Sequence, residues 1–179
     1  YYQYAKNQRV GLDLTENNPQ FEFGAKSNNI RVLNQVFGFS ATYSSNFLNN
    51  VNLGNAGCVF EGGVQFVLIS PITALATVNT GQYPGATPVC LNRMYHIEFP
   101  TTTAAGRKSA MDFIQSIPDG TYVMMKTIMM TSSQETYIDT WQNDTLTYGS
   151  GQSLYHAVKS LGFNEIDQFT SRKPFIFFG

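Results

Sequence analysis

Two cysteines, two histidines and a few closely spaced acids are the residues of this 179-residue chain whose types could do chemistry. In an oxidising compartment Cys58 and Cys90 can pair. Such a bridge would close a loop of roughly thirty residues and add about 3–4 kcal/mol by restricting the unfolded chain. In a reducing compartment they remain two thiols. His96 stands in the strand-like run MYHIEF, where its ring is expected to face solvent. His156 lies beside the apolar stripe of a helix. A lone histidine in either setting reads as a packed or solvated residue rather than a base, and neither is spaced from a cysteine to favour a thiol–imidazole dyad. No Cys-x-x-Cys or His-Glu-x-x-His occurs. Asp13 with Glu16, and Asp139 with Asp144, lack the dense oxygen spacing of a calcium loop and read as solvated acids. The glycines of GNAGCVFEGG do not lead from a strand into a helix, as a phosphate-cradling loop would. Neither a metal nor a cofactor is expected, and the fragment reads as non-enzymatic.

One cluster suits binding better than catalysis. Tyr137, Trp141 and Tyr148 crowd a polar stretch that also holds Asp139 and Asp144. Flat aromatic faces beside carboxylates and amides match the needs of a sugar ring, which stacks through its apolar face and hydrogen-bonds at its rim. The plainer reading makes Trp141 a cap on the core.

The elements that would position these residues follow from periodicity. Between Arg107 and Ile117, Ala110, Met111, Phe113, Ile114 and Ile117 recur at helical spacing, with Lys108, Asp112, Gln115 and Ser116 opposite. Pro118-Asp119-Gly120 ends this helix. The run from Tyr122 to Met130 is too apolar to alternate, which predicts a central strand covered on both faces. The diglycine Gly62-Gly63 leads into a predicted six-residue apolar-rich strand, Val64–Ile69, ended by Pro71, with Ile72–Val78 as its return arm, and residues 79–88 a loop. A further helix is expected over Ser153–Leu161 with Gly162 as its cap, and a last strand over Phe175–Phe178. Upstream, Gln20–Phe23 alternates with period two, a strand with a bend is expected over residues 30–39, and NNVNLGN reads as a loop. Strands in front and helix–strand units behind predict an α+β fold, with helices packed on sheet.

Composition narrows the class. A net charge of −1 with 13% charged residues gives no basic face for nucleic acid. No apolar run is long enough to cross a bilayer. High aromatic content and abundant Asn, Thr, Ser and Gln suit a β-rich extracellular surface. The chain opens on YYQYAKNQR and closes on KPFIFFG, which reads as one domain cut from a longer protein. The lack of a signal segment therefore says nothing of location.

Four segments in order, GGVQFVLISPIT, MDFIQSIPDGTYVMMKTI, SLYHAVKSLG and KPFIFFG, resemble the interleukin-like EMT inducer domain, also called the PANDER-like domain. The likeness covers residues 62–179, and residues 1–61 would be an additional β-rich part of the same single domain. SIPDGTYVMM, TWQNDTLT and QSLYHAVKSLG look like the version in large Bacteroidetes surface proteins, which resemble gingipain-type cysteine peptidases and type IX secretion components. The resemblance implies a β-β-α globule, two sheets in a sandwich with two to three packed helices. It also implies an accessory module at the extracellular or outer-membrane surface, with neighbouring domains, a surface protein or a glycan as partner. A Ser/Thr/Gln-rich segment stands where animal members carry an acidic one, and animal members hold more cysteines. No cytokine-like activity or family binding residue is carried over.

Overall fold

The run Gly63–Ile69 (β6) is buried along its whole length, and the reason is its position in a four-stranded antiparallel sheet. In the computed structural model, which describes residues 10–13, 20–23, 32–34, 46–54, 62–89, 94–128, 138–168 and 175–179, β6 pairs with Tyr122–Ile128 (β8) from Gly63↔Ile128 to Ile69↔Tyr122. Ile97–Pro100 (β7) lies on the other side of β6 and Ile176–Phe178 (β9) on the other side of β8, giving the order β7-β6-β8-β9. The two sequence runs too apolar to alternate are thus the two inner strands, covered on both faces.

Register sorts the side chains into two layers. Val64, Phe66, Leu68, Ile97, Phe99, Val123, Met125 and Phe177 face the helices. Ala104–Ser116 (α1) lays Ala110, Met111, Phe113 and Ile114 on them, and Leu154–Ser160 (α4) adds Leu154, Ala157 and Val158. Phe113 meets Phe66 and Phe99 at ring separations of 5.0 and 5.3 Å. Burying an apolar side chain of this size contributes about 1.5–3 kcal/mol. Between α1 and α4 run two short helices, Ile138–Asn143 (α2) and Thr145–Tyr148 (α3).

The opposite face of the sheet meets a second, three-stranded sheet in the order β3-β4-β5, formed by Val32–Asn34 (β3), Asn46–Leu48 (β4) and Val51–Gly54 (β5). Leu48 and Leu53 pack there against Val67, Ile69 and Met124. A separate antiparallel pair joins Val10–Asp13 (β1) to Gln20–Phe23 (β2). The expected α+β class is therefore what the chain adopts.

Local chemistry explains the boundaries. Thr103 caps α1 by accepting from the Gly106 N–H at 3.1 Å, so the helix starts three residues before Arg107. Ile117 takes extended geometry ahead of Pro118. Gly120 then adopts φ 82° in a turn closed by the Thr121 N–H on the Pro118 carbonyl, the left-handed position a type II turn needs.

Two expectations are corrected. Within NNVNLGN, residues 49–54 form the turn and second strand of a hairpin rather than a loop, because Asn49 and Asn50 take φ 51° and 66° and make the two-residue turn between β4 and β5. The return arm after β6 reduces to a single bridge, Ile69↔Ala76, because a tight turn with Ala74 at φ 55° directs the chain away.

Candidate functional site

The sheet face turned away from the helices carries polar residues in the middle of apolar strands. Register aligns Glu98 of β7, Gln65 of β6 and Lys126 of β8 across the sheet. Each is at most 2% exposed. His96, two residues before Glu98, lies on the same face, and Asn46 reaches in from β4. Asn46 Nδ2 donates to Gln65 Oε1 at 2.7 Å and lies 3.2 Å from His96 Nε2. Gln65 Nε2 donates to Glu98 Oε1 at 2.7 Å and lies 3.3 Å from His96 Nδ1. The Asn79 side chain donates to the His96 carbonyl at 2.6 Å and fixes the backbone there. Loss of hydration pulls the Lys126 ammonium down to about 7, against the attraction of Glu98, which raises it.

A carboxylate, an imidazole and an amine titrating near neutrality are the ingredients of acid–base chemistry. Here all three are closed off between two sheets, so a dissolved substrate has no path to them as the structure stands. Their evident work is to align the layers, since a buried hydrogen-bonded network tolerates few alternative registers, although Asn46 Oδ1 is buried in it without a hydrogen-bond partner.

Sequence reasoning missed this seam. It placed His96 towards solvent, whereas the residue is 4% exposed, because the three-stranded sheet covers that face. The usable signal was a lone polar residue inside each apolar strand, Gln65 in GVQFVLI and Lys126 in YVMMKTI.

The proposed sugar platform is not assembled as expected. Trp141 is fully buried, edge-on to Phe175 at 6.4 Å, so its face is closed to a ligand. Asp144 is not a solvated acid. It takes two hydrogen bonds from Arg107, Nε to Oδ2 at 2.6 Å and a terminal nitrogen to Oδ1 at 2.8 Å, while the other terminal nitrogen donates to the Thr101 carbonyl. This bidentate pair fastens α1 to the α2–α3 junction. Asp139 is exposed, and Tyr148 is half-buried with Lys108 Nζ 5.8 Å from its ring centre. Tyr137, Glu16, Cys58 and Cys90 lie outside the described residues.

Two further polar groups hold α4. Ser153 accepts from the His156 N–H as helix cap and meets His156 Nδ1 at 2.8 Å. The Tyr155 hydroxyl donates to Asp167, and Lys159 Nζ donates to the Tyr155 oxygen at 2.8 Å and to Asp167 Oδ2 at 2.8 Å. The bond with Lys159 holds the Asp167 carboxyl below its usual range, and the same bond holds Lys159 above its own. The trio ties α4 to the 3-10 turn Asn164–Gln168.

Among the described residues no group of three His, Cys, Asp or Glu side chains could hold a metal ion, and no helix is long and apolar enough to cross a membrane. No protein-family model matches the chain, and no curated protein matches it.

Proposed function

We propose that this chain is a non-catalytic interaction module of a larger secreted or cell-surface bacterial protein, which docks a neighbouring domain or a surface partner through an apolar ridge. The observation that carries this reading is the loop after β6. Ile72 is 83% exposed, Leu75 64% and Val78 44%, so three large apolar side chains stand in water within seven residues. The loop is braced. Ala74 N–H donates to the Ser70 carbonyl at 2.9 Å, Ser70 N–H to the Leu75 carbonyl at 3.0 Å and Thr77 N–H to the Leu68 carbonyl at 2.8 Å. Ser70 Oγ accepts from the Ile72 and Thr73 N–H groups. Ala74 sits in left-handed backbone geometry with its methyl buried. Such strain in a non-glycine residue is a mark of functional loops, and a rigid apolar ridge loses little entropy on docking. The enclosure of the His96 seam and the Arg107–Asp144 pair within the fold also supports a binding role over a catalytic one. The ordered likeness to the interleukin-like EMT inducer domain supports the accessory role and the surface location.

The test uses the adjoining domains of the parent protein, expressed separately and titrated against this one by calorimetry. Association is expected, and Ile72→Ser with Leu75→Ser should weaken it at least about tenfold, the loss of two buried anchors, with melting temperature unchanged. No association, or association indifferent to the two serines, overturns the reading. Mass measurement after alkylation without reductant tests the oxidising compartment. A Cys58–Cys90 bridge leaves the mass unchanged.

A further inference from the structure

The main sheet has two edges, and the fold treats them differently. Outside β7, Thr87 turns its backbone N–H and its hydroxyl onto the Glu98 carbonyl, at 2.8 and 3.2 Å. Pro100 then ends that strand without an N–H to offer. At the other edge, Val123 and Gly179 exchange N–H to carbonyl bonds, and the Thr127 N–H donates to the Phe175 carbonyl. In an antiparallel ladder the residues between such pairs turn their backbone groups the opposite way. The N–H and C=O of Ile176 and of Phe178 therefore point away from β8. No hydrogen bond reaches them from the described residues. The Ile176 side chain beside them is 47% exposed. No charge, proline or bulge interrupts Ile176-Phe177-Phe178, although these are the devices by which open edges avoid one another.

We propose that β9 takes a second copy of this chain as its missing neighbour, joining two main sheets edge to edge about a two-fold axis at Phe177.

The occupant follows from the symmetry of the strand. Its outward groups belong to two residues placed evenly about Phe177. A copy turned end for end sets Ile176 opposite Phe178 of the second copy, and Phe178 opposite Ile176 of the second copy, so each outward N–H gains a carbonyl. The same alignment twice places a β-branched side chain against an aromatic ring, a favourable cross-strand pair. Phe178 is already held by its stack on Tyr122, with ring centres 5.9 Å apart and 16° between planes, so association has little ordering left to impose. Like charges do not meet, because β9 carries none, and a chain of net charge −1 barely repels its copy. The contact is isologous and closes on itself. With Thr87 over β7, the main sheet has no second open edge from which a fibre could grow.

The experiment is sedimentation equilibrium on the chain from roughly 10 µM to 1 mM, the range in which small contacts associate. A monomer–dimer equilibrium is expected. Ile176→Pro deletes an outward N–H from each copy, and proline is tolerated on an edge strand where that N–H takes no bond from its neighbour. It should raise the dissociation constant at least about tenfold, with the melting temperature of the dilute chain unchanged. Ile176→Lys should do the same by setting charge against the contact, which keeps the test open if proline disturbs the strand. Amide exchange of Ile176 and Phe178 should slow as concentration rises, while that of β6 stays constant. Ile72→Ser with Leu75→Ser should leave the dimer intact, which separates this contact from docking by the ridge. A monomer throughout the range overturns the proposal. So does a dimer indifferent to both Ile176 variants, a dimer dissolved by the ridge serines, or exchange at Ile176 and Phe178 that ignores concentration.

Discussion

Lys126 makes the stability of the fold depend on pH. Its ammonium titrates near 7 in the folded chain against an ordinary value of 10.5. Between those values the unfolded chain binds the proton and the folded chain does not, so stability rises with pH across that window and is flat below it. The melting temperature of the wild type should therefore climb between pH 7 and 10.5, and Lys126→Met should remove that climb. Arg107 makes the opposite case. Its pair with Asp144 is buried on both sides, so Arg107→Ala strands a carboxylate without its cation and should cost about 3–5 kcal/mol in denaturant unfolding. Trp141, the chain's single tryptophan, is enclosed beside this pair's helix junction. Its emission should be blue-shifted, inaccessible to iodide and unmoved by a glycan panel. Emission shifted by any glycan would reopen the platform reading.

At the scale of elements, α1 shows how propensity yields to packing. Gly106 is a poor helix former, and alanine there should gain up to about 1 kcal/mol in isolation. A Cβ at that position would stand 2.0 Å from the Pro100 carbonyl oxygen, backbone that cannot retreat without moving β7. Gly106→Ala is therefore expected to destabilise, and Thr103→Ala to cost about 1 kcal/mol through the lost cap; urea titrations of the two variants check both signs. The same helix shows what a sequence discloses. Its apolar stripe, the Pro118-Asp119-Gly120 stop and the unbroken strand after it were legible because each rests on neighbours within one or two turns. The glycine that ends α4, Gly162 at φ 95°, was legible for the same reason, whereas Ser153 was read as part of the helix and is its N-terminal cap. The seam was not legible, because Asn46, Gln65, Glu98 and Lys126 come from four strands, with His96 just ahead of β7, and nothing local says that a second sheet will cover them. Arg107 and Asp144 were missed likewise, since 37 residues separate the partners. Trp141 was ambiguous in sequence because an aromatic among polar residues suits a rim or a core, and Phe175 decides between them.

For the whole molecule, strand order sets the terms. The inner strands β6 and β8 are distant in sequence, with β7 and α1 between them, so their pairing closes a long loop before any of the shared core is sealed. Val123 and Gly179 exchange N–H to carbonyl bonds in both directions, so the last residues complete the flank of β8. Removing residues 175–179 takes away Phe175 and Phe177, which pack against Phe163. Urea unfolding of that truncation, followed by Trp141 emission, should lose its single cooperative transition.

One outcome concerns biosynthesis. A ribosome delivers β6, then β7 and α1, then β8, and the strand that covers the exposed flank of β8 follows only after α2, α3 and α4. Until then the nascent chain presents an apolar, hydrogen-bond-hungry edge, YVMMKTI, of the kind that recruits another strand of its own sequence. Yield of intact protein should accordingly depend on how slowly, and how sparsely, the message is read over the codons between β8 and β9.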